Sequence, residues 1–185
     1  MRRSLLIPLA LLLSASSGCI YERVDILVGN SLYNGTILSD HSTVQTSRSG
    51  ILLKPGARFA IRTVGTQFLG QFDVAIVGGE GMNVYLRTVP HEFDTTKGIA
   101  FRYAIDGSSV RDTTGRVTPL NYNAEVEQQT LSFYNEADLL AISVGCKKLH
   151  EAPTKLPGTE YLIFETLPGS TVEIRSVAYF DTNME

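Results

Sequence analysis

Apolar and polar residues alternate at period two through most of this chain, and the clearest run is Met82–Val89. Met82, Val84 and Leu86 fall on one side of it, and Asn83, Tyr85 and Arg87 on the other. That phase predicts a strand with one face on a core and the other on a polar surface. The flanking stretches repeat it. In Gln71–Val77 the apolar set is Phe72, Val74 and Ile76; in Gly98–Ile105 it is Ile99, Phe101, Tyr103 and Ile105, with Arg102 opposite. Gly-Gly-Glu-Gly and Pro-His-Glu-Phe-Asp-Thr-Thr-Lys separate the three strands.

The same period marks strands elsewhere: Val24–Val28, Arg58–Thr63, Thr130–Asn135, Leu139–Cys146, Glu160–Thr166 and Thr171–Phe180. Turn chemistry punctuates them at Lys54-Pro55-Gly56-Ala57, Asp112-Thr113-Thr114-Gly115 and Leu167-Pro168-Gly169-Ser170. Asp106-Gly107 carries the residues that favour a type I′ hairpin turn, and the last two strands read as a terminal hairpin. Ser39–Gly50 is polar enough for a surface loop or a weakly formed strand. Asn121–Gln129 has room for one helical turn but no apolar face. Roughly ten to twelve short strands, with turns every 8 to 12 residues or so, predict an all-β, antiparallel two-sheet sandwich, with a barrel as the alternative.

Composition adds scale and a cellular address. A chain of 185 residues, 43% hydrophobic and 19% charged, is sized for one domain with a sizeable core. Its first residues leave the β pattern: Arg2 and Arg3 are followed by the apolar Leu5–Leu13 and the small residues Ser14–Gly18, the layout of a secretory signal. The apolar run falls short of the ~20 residues of a spanning helix. Ser16-Ser17-Gly18-Cys19 resembles the lipobox of bacterial lipoproteins, which implies that Cys19 is acylated and becomes the mature N-terminus. Ser16 stands where that family usually has Leu, so cleavage by an ordinary signal peptidase is the alternative. Ile20 in place of Asp favours the outer membrane under the same resemblance. The expected division is a signal peptide over 1–18, a lipidated N-terminus and tether over 19–25, and one β-sandwich domain over 26–185.

Cys146 is the only other cysteine, which leaves no disulfide framework. At the end of an apolar run it reads as a buried small hydrophobe rather than a nucleophile. Of 16 basic and 19 acidic residues, two Arg fall in the leader, so the mature chain is more acidic than the whole chain's −3. That balance argues against a nucleic-acid partner, which needs a basic surface.

The succession Phe72-Asp73-Val74, Gly81 to Arg87 and Gly98 to Tyr103 resembles the middle strands of concanavalin A-like and laminin G-like jelly rolls, and Gly169 to Val177 resembles their last strand. The resemblance implies ligand binding, glycan above all, on a concave sheet or at one rim. Aromatic rings stack on the apolar faces of sugars while Arg and Asn bind hydroxyls. By strand phase the candidates are Asn83, Tyr85, Arg87 and Arg102. The plain alternative is the polar solvent face of a half-exposed strand, and the absence of Trp weighs on that side.

Catalytic and metal motifs are missing. Jelly-roll glucanases keep a Glu-x-Asp-x-x-Glu strand that this chain lacks; a pair from separate strands, such as Asp73 with Glu173, is left open. His91 with Asp94, or Asp94 with Asp106 or Asp112, has ligand-type residues without diagnostic spacing, and a loop with Asp94 in an Asx turn to Thr96 is the simpler reading. His41 and His150 lie in polar stretches and read as solvent-facing. No cofactor is expected. Two functions from different classes remain: a lipid-anchored, non-catalytic module for glycan or an envelope protein, and a glycan-active hydrolase. A purely structural envelope lipoprotein is the third.

Overall fold

The computed structural model describes residues 22–25, 27–28, 31–32, 35–62, 68–86, 93, 95–96, 98–136, 139–153 and 161–181. The leader with Cys19, and Arg87, His91 and Asp94, lie outside the described residues. Two antiparallel sheets face one another, with a single 3-10 turn at His41–Thr43 as the one helical piece among the described residues.

Strands are numbered in chain order. One sheet runs β15 (Lys147–Pro153), β14 (Leu139–Val144), β13 (Gln129–Glu136), β8 (Phe68–Gly78), β17 (Thr171–Asp181), β6 (Gly50–Leu53) and β5 (Val44–Ser47). β1 (Glu22–Asp25) pairs with the C-terminal end of β17. The second sheet runs β12 (Val117–Pro119), β11 (Ser109–Arg111), β10 (Ile99–Ala104), β9 (Gly81–Leu86), β16 (Tyr161–Thr166), β7 (Arg58–Arg62) and β4 (Gly35–Ile37). A small pairing of β2 (Leu27–Val28) with β3 (Ser31–Leu32) stands apart. β8 and β9 each hold the middle of a sheet, so the chain around Gln71–Gly107 is central to both layers.

The predicted phase decides which faces meet. Met82, Val84 and Leu86 on β9 and Phe101 and Tyr103 on β10 are fully buried, and so are Phe72 and Val74 on β8. Aromatic rings interlock across the gap between the sheets. Phe72 meets Phe164 edge-on with centroids 5.2 Å apart, and Phe133 meets Phe101 at 6.0 Å. Such pairs add about 0.5–1.5 kcal/mol to the area they bury. The architecture is the jelly-roll, concanavalin A-like β-sandwich, not a barrel.

Four local expectations differ. Leu167-Pro168-Gly169-Ser170 does not close a hairpin: β16 pairs with β9 and β7 in one sheet, while β17 pairs with β8 and β6 in the other. Its turn is a corner between layers, as are Lys54–Ala57 between β6 and β7 and Gly78–Gly81 between β8 and β9. Asp106-Gly107 sits in a longer connection from Ala104 to Ser109, and only Gly107 of the two has a positive φ, 139°, whereas a type I′ turn needs both. Cys146 is exposed in the β14–β15 turn, because the strand ends at Val144 and Gly145 reverses the chain. Glu22–Asp25, expected in a tether, is a strand of the first sheet.

Candidate functional site

Each sheet has an outer face, and the one built on β9 gathers the candidates. Cross-strand register aligns Ala60, Ile163, Tyr85, Ala100, Arg111 and Val117 in one row across that sheet. The next row is Arg58, Glu165, Asn83, Arg102, Ser109 and Pro119. Ile163 and Ala60 stand on this outer face yet are 0% and 1% exposed. Part of the connection from β9 to β10 lies against the same face. The Phe93 ring lies 4.9 Å from that of Tyr161, Arg58 donates through Nη2 to the Phe93 carbonyl, and Arg111 donates through Nη2 to the Thr95 carbonyl. Phe93 has a φ of 46°, the one positive value at a non-glycine among the described residues. The described part of the connection is thus a strap that touches both ends of the face, Phe93 at β7 and β16 and Thr95 at β11.

A shallow depression of about 200 Å³ lies on the β9–β12 part of the face, lined by Asn83, Tyr85, Ala100, Arg102, Ser109, Arg111 and Val117. Asn83 Nδ2 donates to the Tyr85 hydroxyl at 3.3 Å. Burial first, and then the Glu165 carboxylate beside it, push the Tyr85 phenol above its usual value, so it remains a neutral donor with a half-buried ring. Chemically this is an aromatic ring flanked by an amide and a guanidinium, able to stack on an apolar ring face and hydrogen-bond its rim.

Phase brings together three of the four sequence candidates, Asn83, Tyr85 and Arg102; Arg87 is outside the described residues. Arg102 is already committed. Its Nη1 donates to Asp106 Oδ1 at 2.7 Å and to the Gly107 carbonyl at 2.7 Å; its Nη2 reaches Asp106 Oδ2 at 3.1 Å and Glu80 at 3.4 Å. Four terminal N–H groups thus have four acceptors, and the side chain ties the β10–β11 connection rather than presenting a fork. Ser109, Arg111, Arg58 and Glu165 escaped the sequence reading. Arg111 alternates with Val110 in the expected phase, but a three-residue strand gives too short a pattern to recognise.

The remaining candidates lie apart. Asp73 accepts from the Thr130 hydroxyl at 2.6 Å, and Glu173 pairs with Arg175 at 2.5 Å, both on the opposite sheet. Asp112 caps its own turn, accepting from the Thr114 and Arg116 amides. No group of three metal-ligating side chains occurs among the described residues. His150 is half-buried on β15, and burial lowers its pKa; His41 is exposed. A larger depression, about 580 Å³, lies on the opposite sheet beside Gln45, Ser47, Leu52, Val77 and Glu173. Among the described residues its lining has no aromatic ring, and the one carboxylate, Glu173, is paired with Arg175.

Neither a protein-family model nor a curated protein sequence matches the chain. Solved structures do match. The carbohydrate-binding module CBM66 from Bacillus subtilis is 12% identical with a TM-score of 0.59, over 80% of this chain and 96% of that one. The Ca2+-bound exoplasmic domain of VIP36 is 12% identical at 0.59, over 86% and 88%. A candidate glycosyl hydrolase of Parabacteroides distasonis is 10% identical at 0.67, over 85% and 98%. At these identities the likeness defines a fold, the jelly-roll sandwich of carbohydrate-binding modules and lectins.

Proposed function

We propose that this chain is an exported, lipid-anchored β-sandwich that binds glycan, without catalysis, on the outer face of the β9 sheet. The observation that carries the reading is the shallow depression holding Tyr85 beside Asn83 and Arg111, where the Thr95 carbonyl meets Arg111. The fold likeness to a carbohydrate-binding module and to the VIP36 domain supports it. Against hydrolysis, the acid pair Asp73 and Glu173 is spent on Thr130 and Arg175. The lipobox-like Ser16-Ser17-Gly18-Cys19 supports the anchor and an outer-membrane address.

A glycan array probed with residues 20–185 tests binding. The expected result is a defined set of bound glycans whose signal Tyr85→Ala lowers by about tenfold or more, the loss of one stacked ring. Arg87→Ala should weaken the same set. An empty array, with an envelope protein captured instead, would replace glycan by a protein partner. For the anchor, Cys19→Ser should move the protein from the membrane fraction to the soluble one; unchanged fractionation refutes lipidation.

A further inference from the structure

Arg58 and Arg111 share an incomplete hydrogen-bonding pattern. In each, Nη2 donates to a strap carbonyl while Nε is buried and has no hydrogen-bond partner among the described residues. Nε and Nη2 form one edge of a guanidinium, two parallel N–H groups spaced for the two oxygens of a carboxylate. A single carbonyl oxygen uses half of that edge. A buried donor left unpaired is destabilising, so the native arrangement is not the best partner these side chains can have. Of the two, Arg111 also lines the shallow depression, beside Tyr85 and Asn83.

Resting on the glycan reading above, we propose that the depression takes an acidic sugar, whose carboxylate binds the Nε–Nη2 edge of Arg111 in exchange for the Thr95 carbonyl. The exchange replaces one bond to a neutral carbonyl by two parallel bonds to a carboxylate. The sugar ring then lies toward Tyr85, and Asn83 and Ser109 meet its hydroxyls.

The charges around the site permit it. Arg102 is balanced by Asp106 and Glu80. Glu165 sits on β16, three strands from Arg111 on β11, with its carboxylate beside the Tyr85 phenol. Arg58 keeps the other end of the strap at Phe93.

The test compares sugars that differ only in the acid. The full-length chain in detergent is titrated with D-galacturonate against D-galactose and D-glucuronate against D-glucose, followed by the Arg111 side-chain Nε–H signal in proton–nitrogen spectra. The uronate of at least one pair should bind about tenfold more tightly than its neutral partner and move that signal. Arg111→Lys, which keeps the charge and loses the edge, should bring the ratio near one. Equal binding within both pairs, an unmoved Nε–H signal, or a preference that survives Arg111→Lys overturns the assignment to Arg111 and leaves the glycan reading standing. A chain that binds no sugar here and none on the array loses both. Should Arg111→Lys not fold, the ratio and the Nε–H signal of the unsubstituted chain decide alone.

Discussion

Ser170 is polar and fully buried, and its hydroxyl accepts the amide protons of Glu80 at 2.9 Å and Gly81 at 3.1 Å. Nothing in the local sequence announces that role, because the two partners lie about ninety residues upstream. Removing the hydroxyl strands two backbone donors, one of them buried. Ser170→Ala is expected to cost about 1–3 kcal/mol in urea unfolding, against a near-zero effect for an exposed serine such as Ser49. Tyr85 and Asn83 lie at the opposite pole of legibility. Period two placed both on the outer face, since alternation along one strand suffices to fix a side. Arg102 shows where that logic stops. Phase put it on the correct face, yet whether its guanidinium is available depends on Asp106 and Gly107, which a connection folds back against it. Arg111 became visible only through its register with Ala100 and Val117.

At the scale of elements, turn chemistry told where the chain reverses but not between which layers. Pro55-Gly56 and Pro168-Gly169 are the same local signal, and both make corners between sheets, whereas Gly145 closes an ordinary hairpin between β14 and β15. A corner and a hairpin use the same backbone; the choice is made by distant partners. Here the three corners bond to one another. The Thr166 amide donates to the Ala57 carbonyl at 3.1 Å, and the Leu167 amide to the Gly81 carbonyl at 2.9 Å. Gly81 is the tightest point: its φ is 142°, and a Cβ there would lie 2.1 Å from the Tyr103 carbonyl oxygen. Neither the conformation nor the space admits a side chain. Gly81→Ala should lose at least ~2 kcal/mol, read as a fall in urea midpoint with the slope unchanged. For the aromatic layer, Phe133→Ala removes a ring that touches Phe72 on its own sheet and Phe101 on the facing one, and is expected to cost about 3–5 kcal/mol.

For the whole molecule, the titrating groups set a window of stability against pH. Asp106 is held below the ordinary carboxylate range chiefly by its bond to Arg102, and Asp40 and Asp112 by hydrogen bonds from their own turns. Folded values below unfolded ones give stability that is present above the unfolded pKa and lost as pH falls through the folded one. His150, lowered by burial, acts in the same direction from about pH 6.5 downward, because the unfolded chain takes up the proton first. Tyr85, Tyr103 and Tyr122 are raised, mainly by burial, so their contribution is complete below about pH 10 and is lost above it. The urea midpoint should be flat between about pH 7 and 9, decline in two stages toward acid, and fall again beyond about pH 10. A midpoint that rises on acidification contradicts these assignments. The two-layer fold was legible as a whole because alternation is a property of every strand. The strap was not, since its packing on Tyr161 and its bonds to Arg58 and Arg111 belong to no repeating pattern. The central claim, glycan on the outer face of the β9 sheet, is tested most directly by mapping backbone amide shifts while titrating the glycan that ranks first on the array. The account predicts saturable shifts at Asn83, Tyr85, Ala100, Ser109 and Arg111, with Val77 and Glu173 on the opposite sheet unmoved. Shifts centred on Val77 and Glu173, with the Tyr85 amide silent, would contradict it.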